Sequence, residues 1–157
     1  MKCKMPRLVT ATGINAEIER CFDLARDVDV HCETAAFTDE KATGGTTTGL
    51  LTLGDTVTFE GVHFCVRQRH TSKITECVQP FRFVDEMVSG AFRSFRHVHE
   101  FARQGNSTIM TDTIVWTSPF GLLGRMADPF IWLHLRSFLQ RRNRELKRIA
   151  EASATAA

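Results

Sequence analysis

The chain has 157 residues, 43 % of them hydrophobic, and its 20 basic and 18 acidic side chains leave a formal net charge of +2. That length and composition suit one globular domain over 1–157 with a core at about 8–150, and the near balance of charge offers no general grip on a polyanion, so nucleic acid is not an expected partner. Nothing approaches the ~20 apolar residues of a membrane span, and no apolar run behind Met1-Lys2-Cys3-Lys4-Met5-Pro6 is long enough for a signal peptide, so a cytoplasmic location is expected.

In chain order, Arg7 to Ala11 reads as a short strand. Asn15 is placed to cap a helix whose apolar positions Ile18, Cys21, Phe22 and Ala25 keep helical spacing, and Glu17 suits the positive end of its dipole. A second short helix, about Val30 to Phe37, follows. Thr46 to Leu53, Thr56 to Val62 and Cys65 to Cys77 are rich in Thr, Val, Phe and Ile and are separated by Gly54-Asp55 and Val62-His63, as in a meander of strands. Pro80 ends that run. Phe81 to Ser89, Phe92 to Arg103 and Ser107 to Thr117 continue the meander through Gly90-Ala91 and Gly105-Asn106, and Ser118-Pro119 stops the sheet.

The longest helix comes last. Ala127, Ile131, Leu135, Phe138, Leu139, Leu146 and Ile149 fall on one broad stripe at 100° per residue, while Arg136, Arg141, Arg144, Lys147 and Arg148 lie mainly off it. Those cations are interspersed with Glu145 and Glu151 and read as a solvated outer face. Pro129 would break an interior turn, so the pattern predicts a short helical piece from Leu122 and a fresh start or kink at Pro129. Arg142 falls inside the apolar stripe and must either snorkel or find an anion. The small-residue tail from Ala152 to Ala157 is expected to fray. The five cysteines, Cys3, Cys21, Cys32, Cys65 and Cys77, are odd in number and show no Cys-x-x-Cys spacing, which argues against a disulfide framework or a zinc cage.

The chemistry gathers around Gly105-Asn106. Taken as a two-residue hairpin loop, this turn sets Gln104 opposite Ser107, Phe101 opposite Met110, His99 opposite Asp112, His97 opposite Ile114 and Phe95 opposite Trp116. Opposed side chains lie about 4.5–5.5 Å apart at Cβ, within reach of a charge-assisted bond between His99 and Asp112. Phe95, Phe101, Ile114 and Trp116 share that face, so it reads as an apolar wall holding a small polar cluster. Glu86 joins the cluster if the Gly90-Ala91 turn pairs it with Phe95.

Strand, two short helices, about six antiparallel strands and one long helix describe an α+β chain in which a curved sheet is covered by a single helix, and such a sheet encloses space. This order resembles the helix-grip fold of the SRPBCC superfamily, which includes START-like lipid carriers, birch-pollen-allergen-like proteins and polyketide cyclases. Leu53-Gly54-Asp55-Thr56-Val57-Thr58-Phe59, Phe81-Arg82-Phe83-Val84-Asp85-Glu86 and Phe92-Arg93-Ser94-Phe95-Arg96-His97-Val98-His99-Glu100-Phe101 resemble its small bacterial members, as do Met110-Thr111-Asp112 and Pro119-Phe120-Gly121-Leu122-Leu123-Gly124-Arg125. The resemblance runs from about Leu8 to Ala150 and implies an internal cavity without naming its occupant.

The expectation is therefore a non-catalytic binder or carrier of a small hydrophobic or amphipathic molecule, lipid, isoprenoid or polyketide-like, lying between the sheet and the last helix. Phe95, Phe101, Met110, Ile114, Trp116 and Phe138 would line the cavity, with Glu86, His97, His99 and Asp112 at its polar end. Two alternatives stay open. A cyclase or dehydratase-like enzyme would use His99, Asp112 and His97 for acid-base chemistry, and an interaction module would bind a second copy or another protein. A buried network that merely fixes the sheet uses the same polar residues. Two histidines and a carboxylate also have the donor set of a non-haem iron or zinc site, yet strand alternation produces such triplets by chance, and no metal or other cofactor is expected. No nucleophile elbow, phosphate loop or dinucleotide fingerprint occurs; Gly44-Gly45-Thr46-Thr47-Thr48-Gly49 lacks the lysine of a Walker loop.

Overall fold

The computed structural model describes residues 5–152. Seven strands, β1 (Arg7–Ile14), β2 (Lys41–Gly45), β3 (Thr56–His63), β4 (Val66–Val78), β5 (Arg82–Ser89), β6 (Ser94–Gln104) and β7 (Ser107–Thr117), form one antiparallel sheet in the order β1-β7-β6-β5-β4-β3-β2. Between β1 and β2 lie α1 (Ile18–Arg26), α2 (Val28–Thr34) and a 3-10 turn at Ala36–Thr38, and α3 (Gly121–Ala152) follows β7. Register shifts between Thr71 and Ser72 and between Ile74 and Glu76 bulge β4 against β5, and such bulges bend a sheet. Among the described residues no helix is long and apolar enough to cross a membrane. Of the tail expected to fray from Ala152 to Ala157, Ala152 is helical and ends α3, and 153–157 lie outside the described residues.

The α1 spacing behaves as read: Ile18, Cys21, Phe22 and Ala25 are all buried, and Phe22 meets Phe83 and Phe101 edge-on at 5.5 Å. Its start differs. Glu17 stands at the cap without a side-chain bond, while the Asn15 amide donates to Glu151 Oε1 at 2.7 Å and its side-chain oxygen accepts from Ser107, tying β1 to other elements. Asp27 turns extended to end α1, then accepts from the Asp29 and Val30 amides, so α2 begins at Val28 and not at Val30. The strand expected over Thr46 to Leu53 is instead β2 at Lys41–Gly45; Leu50 makes an isolated bridge to Asp27 and the Leu51 amide bonds Arg26, which ties that stretch to the α1–α2 junction. The turn expected at Val62-His63 falls at Phe64-Cys65, both with positive φ.

α3 runs unbroken through Pro129, contrary to the expected restart. Asp128 Oδ1 accepts from Trp116 Nε1 at 3.1 Å and from Ser118 Oγ at 2.5 Å, which anchors the turn before the proline to β7 and its exit. Leu139, Leu146 and Ala150 are buried, and Ile131, Leu135 and Phe138 pack on a cluster of Leu8, Ile114, Trp116 and Leu139. Ala127 is exposed instead of packed, and Phe120, Leu122, Leu123, Met126, Phe130 and Leu133 point to solvent. The second core cluster, with Ile14, Phe22, Phe83, Phe101, Met110 and Leu146, fills the space under α1. Each such fully buried side chain contributes about 1.5–3 kcal/mol.

Candidate functional site

The β6–β7 hairpin has the register the Gly105-Asn106 turn dictates: Phe95 faces Trp116, His97 faces Ile114, His99 faces Asp112 and Phe101 faces Met110. Gly105 takes φ 59°, the positive value that a tight hairpin with glycine first requires. The side chains then pair diagonally. His97 Nε2–H donates to Asp112 Oδ1 at 2.9 Å, and His99 Nε2–H donates to Asp85 Oδ2 at 3.1 Å. His99 Nδ1 lies 3.0 Å from Asp112 Oδ1 but is not aligned for a hydrogen bond. The two imidazole centroids lie 3.8 Å apart with the rings tilted by 36°, between one carboxylate on β5 and one on β7. Asn143 of α3 completes the far side by donating to Asp112 Oδ2 at 2.6 Å.

Burial and hydrogen bonding compete across this cluster. Burial disfavours charge on His97, and the neighbouring His99 adds to it, so His97 is held below the usual histidine range. His99 suffers the same burial, but its two carboxylate neighbours outweigh it and raise its pKa. Burial alone would raise Asp85 and Asp112; the His99 bond to Asp85 and the His97 bond to Asp112, with the charges around them, hold both well below the carboxylate range.

A second polar chain faces the first. His31 Nε2–H donates to Glu40 Oε2 at 2.9 Å, His63 Nε2 lies 3.4 Å from Glu40 Oε1, and His63 Nδ1 lies 3.0 Å from His134 Nε2. The tautomers that satisfy this chain run from His134 through His63 to Glu40. Desolvation holds His31 and His134 below the usual range, while bonds from His31 and His63 hold Glu40 below its own against burial.

Both chains line one cavity of about 170 Å³ between the sheet and α3. All six histidines of the sequence contribute to its wall. Its apolar surface comes from Val57, Phe59, Ile74, Phe83, Phe95, Ile114, Leu135, Phe138 and Leu139. Arg142, 3 % exposed, also borders it. Arg142 neither snorkels nor meets a carboxylate: Nη2 donates to the Ala25 carbonyl at 3.3 Å, and Nε has no hydrogen-bond partner among the described residues.

Of the residues expected at the site, Phe95, His97, His99, Ile114 and Phe138 line the cavity. Asp112 is fully buried one step behind the histidines. Phe101 and Met110 face the same side of the sheet but lie in the core under α1, and Trp116 is enclosed at the foot of α3. Glu86 does not pair with Phe95. It pairs with Arg96 and accepts from Arg96 Nε at 2.8 Å, because Asp85 is the β5 residue opposite His97 and the register stands one residue from the one expected. A one-residue difference turns every side chain to the other face, so Asp85 takes the inward place given to Glu86. Sequence reasoning also missed His31, His63, His70, His134 and Arg142 as wall residues. The helical spacing of His134, Phe138 and Arg142 was the available signal for two of them.

No family model and no curated protein matches the chain. Solved structures do. The Thermus thermophilus protein TTHA0849 is similar with a TM-score of 0.77 at 14 % identity, covering 94 % of this chain and 99 % of that one. A START superfamily protein from Mycobacterium smegmatis gives 0.71 at 9 % identity, covering 93 % and 97 %. Ginseng major latex-like protein 151 from Panax ginseng gives 0.70 at 12 % identity, also covering 93 % and 97 %. Likeness at such identity establishes architecture alone, and the chain shares the helix-grip fold of these structures.

Proposed function

We propose that the cavity binds one compact amphipathic organic molecule without covalent chemistry, its apolar body against Phe59, Phe95, Ile114 and Phe138 and an anionic or carbonyl oxygen at Arg142. The observation that carries this reading is Arg142, a residue that borders a largely apolar cavity and whose buried Nε–H has no acceptor among the described residues. A buried donor left without a partner costs about 1–3 kcal/mol, more when charged, and an acceptor brought by a ligand recovers it. Size narrows the class further. A dry engineered cavity of about 150 Å³ accepts benzene, so about 170 Å³ suits a ring-sized body better than a long lipid or polyketide chain.

Calorimetric titration with ring-sized carboxylic acids and their methyl esters tests this. The acids are expected to bind at least about tenfold more tightly, a difference of about 1.4 kcal/mol, and to lose that preference in Arg142→Met. Equal affinity for acid and ester, or no binding by any member, contradicts it. If a bound compound is also converted, and His99→Ala abolishes turnover while keeping affinity, the cavity is that of a cyclase or dehydratase-like enzyme instead of a carrier.

A further inference from the structure

We propose that Asp85, His97 and His99 form a three-ligand site for a divalent first-row transition ion, with Asp112 as the shared orienting group behind both imidazoles. The donor atoms of these three residues lie within 4.8 Å of one another. Asp85 Oδ2 is 3.1 Å from His99 Nε2 and 3.9 Å from His97 Nδ1. A tetrahedral ion with ligands at about 2.1 Å sets them about 3.4 Å apart, so small side-chain rotations close the set around an ion.

The groups behind the donors match those that metal sites need. A metal-bound imidazole ordinarily gives its other ring N–H to a carboxylate, which fixes its tautomer. Asp112 Oδ1 stands 2.9 Å from His97 Nε2 and 3.0 Å from His99 Nδ1, the two nitrogens that would face away from the ion. His99 Nδ1 is buried and without an aligned partner as it stands. With an ion in place of the hydrogen that His99 Nε2 shares with Asp85, the remaining ring hydrogen belongs on Nδ1, facing Asp112. Asp112 is itself held by Asn143, and Asp85 Oδ1 accepts from Ser72 Oγ at 3.3 Å.

Charge points the same way. Among the described residues, the ion pairs of Asp85 and Asp112 are made with His97 and His99 alone. Two carboxylates and two neutral imidazoles carry two negative charges, and a divalent ion brings the sum to zero. Asp85, His97 and His99 all border the cavity, so the remaining coordination positions open onto it. Two nitrogens and one carboxylate oxygen suit zinc or iron(II) over calcium or magnesium.

The ion site does not depend on the organic molecule proposed above, and either can fail while the other stands. The test uses the full chain freed of metal by chelator dialysis, titrated with cobalt(II) and followed by its visible d–d absorption, then displaced by zinc(II). One ion per chain is expected. Asp85→Asn should weaken binding at least about 100-fold, Asp112→Asn about 10- to 100-fold with the stoichiometry kept, and Asp39→Asn on the surface not at all. Asp85 retains 19 % side-chain exposure, so its asparagine variant keeps the fold if the buried Asp112 variant does not; a thermal melt checks both. Absence of stoichiometric uptake, uptake unchanged in folded Asp85→Asn, or uptake that requires His31 and His63 instead overturns the assignment.

Discussion

Arg142→Met separates the demands of folding from those of ligand binding. The substitution keeps an unbranched stem in the α3 face while removing the guanidinium. What is lost is one bond, from Nη2 to the Ala25 carbonyl at 3.3 Å, whose ceiling as a charged hydrogen bond is about 1.5–3 kcal/mol. What is relieved is the burial of a donor with no partner at Nε, about 1–3 kcal/mol. The two nearly cancel, so urea denaturation should find the empty variant within about 1.5 kcal/mol of the parent. Binding of an acidic ligand should fall by about 2–5 kcal/mol, roughly 30-fold to several thousand-fold, because its carboxylate would then enter an apolar wall unpaired. A loss of more than about 3 kcal/mol in the empty protein would mean that Arg142 holds the fold together. Unchanged acid affinity in a stable variant would place the ligand's polar end elsewhere.

Cavity filling gives a complementary test. At ~24 cal/mol per Å³, an unfilled space of about 170 Å³ carries a penalty of at most about 4 kcal/mol, which bounds what any filling substitution can recover. Ile114→Phe should raise stability by about 1 kcal/mol and block ligand uptake; a melting point lowered with uptake intact would show that this wall does not face the ligand. Leu146→Ala should cost about 2–5 kcal/mol because Leu146 is 0 % exposed, whereas Leu123→Ala, at a position 76 % exposed, should stay within about 0.5 kcal/mol; similar losses would contradict the packing of α3. Acid should destabilise the protein. Burial lowers His31 and His134, so below about pH 6.5 the unfolded chain binds protons that the folded one refuses, and stability falls as pH drops. His70 and His97 act in the same direction and His99 opposes, its stabilising contribution being full below about 6.5 and lost as pH rises through its raised value. Glu40 adds a further loss below about pH 4.5. Denaturation at about pH 7.5 and 5.5 should show the lower stability at 5.5; an equal or higher value there would contradict the assigned directions.

Local rules carried far where one residue constrained its neighbours. Gly105 fixed the hairpin turn, and the turn fixed every pair from Gln104–Ser107 to Phe95–Trp116. Ile18, Cys21, Phe22 and Ala25 announced the buried face of α1 for the same reason, since 3.6-residue spacing is a local property. The β5–β6 register was not legible, because residues 90–93 form a longer connection than a two-residue turn and do not pin the pairing; hence Glu86 stood where Asp85 belongs. Alternation told which side chains of β6 and β7 point inward, but not that Phe101 and Met110 would be covered by α1 while Ile114 stayed at the cavity. His31, His63 and His134 come from three different elements, and only the curvature of the sheet around α3 brings them to one wall. Phe101→Asp would break the core between Phe22 and Phe83 and say nothing about a ligand.

The most direct test of a ligand-holding cavity is native mass spectrometry of the protein purified from its own source, with the released compound identified after denaturation. The cavity account predicts one compact, apolar-bodied compound bearing an acidic or carbonyl oxygen per chain, absent from protein in which Ile114→Phe fills the space. Purification of an empty chain whose mass remains unchanged on incubation with ring-sized acids would contradict it.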